Sequence, residues 1–504
     1  MIAVTIQRRR TAGLLIGIAI FYLASPGTTQ ARDPESPERQ EVVEAMHRAV
    51  QFFRTHASAS GGYVYQLSHD LSKREGEGKV GDTTAWIQPP GTPSVGMAYL
   101  DAYRLCRDPI LLDAAKETAE ALRQGQLESG GWDNRIEFSP EDRRRYAYRV
   151  DQPPQPSRKL RNVSTLDDNK TQSVIRFLIQ LDQELDGKDQ TLRGVLRDAL
   201  DAVVAVQYPN GAWPQRFEGR PDPAEYPILK ASIPDQWPKT FPGNKYAAYY
   251  TLNDNSICDV IETLLDAWQW LDDPRYLQAA LRGGDFLLLA QLPEPQPGWA
   301  QQYNREMHPA WARKFEPPAI TGGEAQRVIR TLMTLYRRTS AADENAKRFL
   351  KPLPRAIEYY RSSQLADGRL ARFYELGSNR PLFFTKDYRL TYSPDDMPTH
   401  YSFLVNSKLD QLEQELTRLQ AGTPDASTRA RLEASPRLDA KLNQKTQAIL
   451  GQLDERGAWV EDGSLSYHGD QDPTRRVIRS ATFIKNLQVL ARWIAADAAT
   501  EPAE

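Results

Sequence analysis

The sequence predicts an all-α protein, an α/α toroid in which helical hairpins form a barrel and long loops line a central cleft. Three observations lead there. A short motif of Gln, a Gly-containing turn and an aromatic residue recurs along the chain, the segments between its copies carry apolar residues at helical spacing, and strand signals are sparse. The copies are "QLESGGW" from Gln126, "QYPNGAW" from Gln207, "QLPEPQPGW" from Gln291 and "QLDERGAW" from Gln452, with weaker ones in "QLADGRL" from Gln364 and "ASGGY" ending at Tyr63. Their spacing of about 70 to 90 residues is room for two helices and a variable loop. An open solenoid of helix pairs is the alternative for the same periodicity.

Along the chain, three arginines precede an apolar run from Ala12 to Ala24 that is too short for a membrane span, followed by small residues up to Ala31. Residues 1–31 are therefore expected to be an export signal, with a secreted or periplasmic protein that has no membrane attachment after its removal. Residues 32–45 read as a linker, and 46–500 as one domain. "LLDAAKETAEALRQ" and "LRDALDAVVAVQ" place Leu and Ala three and four apart, as outer helices ending in Gln. "LARFYEL" and "PLFFT" read as short strands pairing locally, and "GTPDASTRARLEASPRLDAKLNQK" as a charged helical insert.

The 64 basic and 66 acidic residues nearly cancel, so no polyanion is held by bulk charge and nucleic acid is excluded as a partner. An acidic ligand would have to meet local arginines. Two cysteines, Cys106 and Cys258, allow one disulfide or two free thiols. A monomer is expected.

Two segments, "TLDDNKTQSVIRFL" from Thr165 and "TLNDNSICDVIETLL" from Thr251, put carboxylates and amides at the start of an apolar helix. Helix capping accounts for one acceptor oxygen. Each copy supplies more: Asp167, Asp168 and Asn169 in the first, Asn253, Asp254 and Asn255 in the second. Facing carboxylates serve either as acid and base on a glycosidic bond or as ligands of a hard cation such as Ca²⁺. Around them stand Trp213 with Arg216, Trp311 with Arg313, Trp237 with Lys239, and Arg380. Rings beside cationic forks suit a polyanionic sugar.

These two segments, with "QYPNGAWPQRF", "WAQQYNREMHPAWARKFEPPAITGGEAQRVIRTLM" and "LARFYELGSNRPLF", together resemble the family 10 polysaccharide lyases, which are pectate lyases, over Thr165 to Phe384. The resemblance implies Ca²⁺-assisted β-elimination of polygalacturonate with an arginine base. It implies Asp167, Asp168 and Asp254 as metal ligands and Arg313 as the base, with Arg330 as competitor. Arg380, Arg216, Trp213, Lys170 and Asn255 fall to the substrate. A glycoside hydrolase using Asp167 and Asp254, or a non-catalytic polyuronate-binding relative, are the alternatives. The chain departs from the family pattern in an insertion near 219–244, in Lys170 beside the metal aspartates, and in the segment 385–403.

Overall fold

The computed structural model describes residues 37–151, 160–243, 245–422 and 436–500. The expected export signal at 1–31 and most of the charged insert lie outside the described residues.

Helices dominate the described residues, and they alternate between two kinds. The first kind is buried along one face only: α1 (Arg39–Phe52), α3 (Pro109–Gln124), α6 (Gln190–Ala205), α8 (Pro274–Leu289), α10 (Leu353–Ser362) and α12 (Ala440–Gln452), with α4 (Pro140–Arg143) a single turn beside them. The second kind, α2 (Thr92–Cys106), α5 (Lys170–Glu184), α7 (Ser256–Leu271), α9 (Glu324–Thr339), α11 (Leu409–Gln420) and α13 (Ser480–Ala498), packs in the succession α13, α2, α5, α7, α9, α11. In α5 and α7 the buried residues run almost all the way round, as expected for a helix covered on both sides. One-sided burial marks the first kind as an outer layer, and α11, at the end of the succession, shares it with only Leu409, Leu412 and Leu416 buried.

The recurring motif turns out to be the joint between layers. Each tryptophan is buried and its indole N–H donates to a carbonyl in the last turns of the preceding outer helix: Trp132 to Leu122 at 2.8 Å, Trp213 to Val203 at 2.9 Å, Trp299 to Leu287 at 2.8 Å and Trp459 to Ile449 at 3.0 Å. Carbonyls in the last turn of a helix lack a donor four residues on within the helix, so the indole supplies one there, joining the Gly125 N–H that also reaches Leu122 O at 3.1 Å. The glutamines close the same turn and reach the next outer helix, as when Gln126 Nε2 donates to both Gly130 O and Val195 O, and Gln207 Nε2 to Gly211 O and Ala279 O. Gly211 and Gly457 adopt φ of +93° and +91°, and a Cβ there would stand 2.0 and 2.4 Å from the carbonyl oxygens of Arg282 in α8 and Arg48 in α1. Backbone packs on backbone at these points, and the turn after α12 thereby rests on α1.

Several expectations change. The helix α1 begins at Arg39, inside the span read as linker to residue 45, because Val42, Ala45, Met46, Ala49 and Val50 form a buried stripe. Cys106 and Cys258 are both free thiols, placed on α2 and α7. Strands are more numerous than the sequence suggests, since most have only two to four residues. A five-stranded sheet joins Gln66–Ser68, Arg74–Gly76 and Gly78–Val80 to Val460–Asp462 and Arg476–Arg479, tying the beginning of the described chain to its end.

Candidate active site

Three inner helices begin in the same way, and their starts form the site. Ser164–Thr165 pairs with Arg216–Phe217, Tyr250–Thr251 with Gln302–Tyr303, and Ile320–Thr321 with Phe373–Tyr374. After each strand a threonine hydroxyl accepts from the backbone two residues on: Asp167 N to Thr165 Oγ1 at 3.1 Å, Asn253 N to Thr251 Oγ1 at 3.2 Å, Gly323 N to Thr321 Oγ1 at 3.2 Å. Neither α5 nor α7 has a side-chain cap at its first turn, whereas α3, α6, α8 and α12 are each capped by an aspartate. The carboxylates of the acidic motifs are thus not spent on capping. Their backbone is unusual as well, with left-handed φ at Asp168 (48°), Asn169 (59°), Asp254 (49°) and Asn255 (60°). Asp and Asn tolerate that region better than other side chains, which explains the residue types.

The double turn brings Asp167, Asp168 and Asp254 together, with one carboxylate oxygen of each within 4.8 Å of the others. Gln215 Nε2 donates to Asp167 Oδ1 at 2.9 Å, and Asn253 Nδ2 to Asp254 Oδ2 at 2.6 Å. Burial and the neighbouring Asp168 push the Asp167 carboxyl up, against the pull of Lys170, Gln215 and Arg216. Asp254 opens onto the cleft, yet the loss of water around its carboxyl, together with Asp168 and Asp167, pushes it up to about 7. Lys170 sits in the cluster, with its ammonium 3.1 Å from Asp168 Oδ2 and its side chain only 4 % exposed. One ammonium against three carboxylates leaves two negative charges when all three ionise.

From Asp254 a line of hydrogen bonds leads to Arg313. Asn253 Oδ1 accepts from Gln301 Nε2 at 2.5 Å, and the same amide reaches Glu316 Oε1 at 3.3 Å. Glu316, 1 % exposed, receives Arg313 Nε at 2.8 Å, Arg313 Nη2 at 2.5 Å and the Arg313 backbone N–H at 3.1 Å, besides the Tyr401 hydroxyl at 3.1 Å. This fork leaves the Nη1 edge of Arg313 clear of Glu316. Burial works to lower the guanidinium pKa, but the Glu316 hydrogen bonds and charge outweigh it and push it up.

The other sequence-predicted residues divide. Arg330 and Asn255 line a cavity of about 670 Å³ with Asp254, Glu324 and Arg372. Arg176, at the matching place in the first copy, instead bridges α5 to Thr263 of α7 at 2.9 Å. Arg216 is exposed on its strand, close enough to act on the charge of Asp167. Arg380 is exposed and lies over the Tyr392 ring, 3.5 Å from its centroid. Trp213 does not belong to the cleft: it is 1 % exposed and is the turn tryptophan on Val203, so the expectation that it stacks under a sugar is corrected.

Sequence reasoning missed Glu316, Gln215, Gln301, Tyr401 and Arg372. Arg372 Nη1 meets Glu324 Oε1 at 2.5 Å and its guanidinium lies 4.8 Å from the Tyr401 ring centroid. The signal for Glu316 was present in "WARKFEPP", three residues after the arginine it holds.

No curated protein matches the chain in sequence. Among solved structures the chain is similar to a family 10 polysaccharide lyase from Cellvibrio cellulosa, with TM-score 0.43 and 19 % identity over 61 % of this chain and 92 % of that one. A variant of that lyase in complex with a trigalacturonic acid gives TM-score 0.42 and 18 % identity over 66 % and 98 %. A D-mannose isomerase gives TM-score 0.43 and 12 % identity over 93 % and 99 %. A sequence model described as pectic acid lyase matches residues 126–401, the span that carries the three carboxylates, Arg313 and Arg380. Matched over more than half of its length, the chain belongs to the pectic acid lyase family of polysaccharide lyases.

Proposed function

We propose that this protein is an exported pectate lyase that cleaves polygalacturonate by Ca²⁺-assisted β-elimination, on an α/α toroid whose inner helices open onto the catalytic cleft. The observation that carries the reading is the convergence of Asp167, Asp168 and Asp254 within 4.8 Å, linked by hydrogen bonds to Arg313.

The donor set suits a hard divalent cation. It consists of carboxylate oxygens without His or Cys, it carries two excess negative charges, and crowding holds Asp254 well above its ordinary pKa. Asp167, Asp168 and Asp254 would hold the Ca²⁺, which when bound neutralises a uronate carboxylate and so acidifies the adjacent C–H. Lys170 compensates Asp168, so the remaining charge matches one dication. Arg313, once neutral, takes the proton from the carbon next to the carboxylate while Glu316 fixes the direction of its fork; the electron pair of that C–H bond forms the double bond to the β-carbon, and the glycosidic oxygen departs from the β-carbon and takes a proton from water. Because Glu316 holds Arg313 as a cation, the reaction requires that this pair loosen and the guanidinium give up a proton to solvent as substrate enters. Arg216 and Arg380 supply cationic contacts for neighbouring uronates.

Incubating the purified protein with polygalacturonate, with and without Ca²⁺, tests the reading through the ultraviolet absorbance of the unsaturated product. Ca²⁺-dependent absorbance is expected. New reducing ends without it would transfer the chemistry to a hydrolase in which Asp254, raised to about 7, serves as the acid. Arg313→Ala is expected to abolish elimination, and retained activity would move the base to Arg330.

A further inference from the structure

The end of the inner helices that holds the acidic cluster continues past α5, into residues outside the span 126–401 that carries the family likeness. There α13 and α2 begin against one short stretch: Ser480 N donates to Tyr65 O at 3.0 Å, and Thr92 Oγ1 donates to Tyr63 O at 3.0 Å. Two steps join this stretch to the acidic motif. Thr165 N donates to Trp132 O at 2.9 Å, and just beyond Trp132 the strand Arg135–Glu137 pairs with Thr84–Trp86. Trp86 N then donates to Tyr63 O at 2.8 Å, and the Tyr65 ring stands edge-on to that of Trp86, with centroids 6.1 Å apart.

Two tyrosines hang here from one glutamate. Tyr65 N donates to Glu75 O at 3.1 Å, while Ser466 N and Tyr467 N donate to the Glu75 carboxylate at 3.0 and 2.9 Å. Glu75 is only 2 % exposed, so the loop that carries Tyr467 is pinned to the hairpin that carries Glu75. The Tyr467 side chain is 50 % exposed, and Tyr65 is half-buried. Beside them the Trp86 indole N–H and Gln88 Oε1 are buried without hydrogen-bond partners, and Gln88 Nε2 donates to Glu77 Oε1 at 2.9 Å. Polar atoms left in this state suit a hydroxyl-rich neighbour.

The electrostatics differ from those on the Arg313 side. The charges that act on the two phenols are carboxylates, Glu77 and Asp168 on Tyr65, Glu77 and Glu75 on Tyr467. Neighbouring cations are committed: Lys170 to Asp168, Arg135 to Glu137 at 3.6 Å, and Arg74 to the carbonyls of His56 and Ala57. Lys79 is exposed on the edge strand Gly78–Val80. A uronate carboxylate is repelled in such surroundings, whereas an uncharged sugar lays its C–H face on a tyrosine ring and donates its hydroxyls to Glu77.

We propose that Tyr65, Tyr467 and Glu77 form a subsite for an uncharged sugar residue of the polysaccharide, on the α2 side of the acidic cluster, with Arg313 on the α7 side. This rests on the polyuronate reading given above and adds a charge preference along the bound chain, uronates over the arginines and an uncharged residue over the tyrosines.

The test measures kcat/KM of the full-length protein in Ca²⁺ on polygalacturonate, on the same polymer with a minority of its carboxyls methyl-esterified, and on the same polymer with a minority reduced to the alcohol. The readout is the ratio of each neutralised polymer to polygalacturonate. Tyr467→Ala is expected to lower that ratio about fivefold, the loss of one good contact, and Glu77→Lys, which invites a carboxylate, to lower it at least as far. A fall for both neutralised polymers assigns the missing charge as what is recognised, and a fall for the methyl ester alone assigns the ester group; either supports the subsite. A ratio that neither variant changes overturns it while leaving the lyase reading intact. If the wild type eliminates none of the polymers, that reading fails by itself. Calorimetric titration with methyl-esterified hexagalacturonate then decides: weaker binding by Tyr467→Ala supports the subsite, and unchanged or absent binding overturns it.

Discussion

The Lys170 ammonium lies 3.1 Å from Asp168 Oδ2 and is almost wholly shielded from water. The structure makes Lys170 part of the acidic cluster. Replacing it by Met leaves Asp168 without its buried partner, which costs about 1–3 kcal/mol of stability in the absence of cation. Added Ca²⁺ should recover most of that loss, and chemical denaturation with and without the ion measures both effects.

Asp254 titrates near 7 because of desolvation and the charges of Asp168 and Asp167. Its folded pKa exceeds its unfolded value near ~4, so the folded form holds a proton that the unfolded chain has released. The contribution is full below the unfolded pKa and is lost as pH rises toward 7. Stability without cation should therefore decline across that window, and Asp254→Asn should flatten the decline in a series of denaturation curves.

The same titration sets cation affinity, since only the ionised carboxylate is a ligand. Ca²⁺ binding should strengthen as pH rises through about 7. At Ca²⁺ of about a hundred times Kd, the wild type should gain about 2.7 kcal/mol of unfolding free energy, and Asp254→Asn little or none. Thermal unfolding in chelator and in Ca²⁺ reads the difference.

Trp213→Ala is a stability variant rather than a substrate-binding one. Removing the buried indole and its bond to Val203 O should cost about 3–5 kcal/mol. The KM of the protein that remains folded should stay close to wild type, whereas Arg380→Ala should raise it. A KM for Trp213→Ala raised as much as that of Arg380→Ala would return Trp213 to the cleft.

Much of this was legible in the residues. The Gln, Gly and Trp recurrence marks the hairpin period because each element of it does one local job: turn closure, backbone approach, and a donor for a helix-end carbonyl. The two acidic motifs read as a pair because "TLDDN" and "TLNDN" follow the same local rule, a threonine that accepts from the backbone and two residues able to adopt left-handed φ. Local chemistry of this kind is written in a few adjacent residues, so a sequence alone determines it.

What spans the chain was not legible. Trp213 and Trp311 look alike on paper, yet one plugs a turn by donating to Val203 O, 10 residues back, while the other donates to Pro238 O, 73 residues away, and borders Arg313. Glu316 owes its importance to Gln301 and Tyr401 as much as to Arg313, and Glu375 to Lys239 and Tyr392. A carboxylate becomes a clamp, a ligand or a raised acid according to the charges and burial that distant segments bring to it. Adjacent residues are enough to specify the repeat, the threonine turns and the acidic pair. Which charges cancel is settled by the folded chain, since Coulomb interaction and desolvation depend on separation in space.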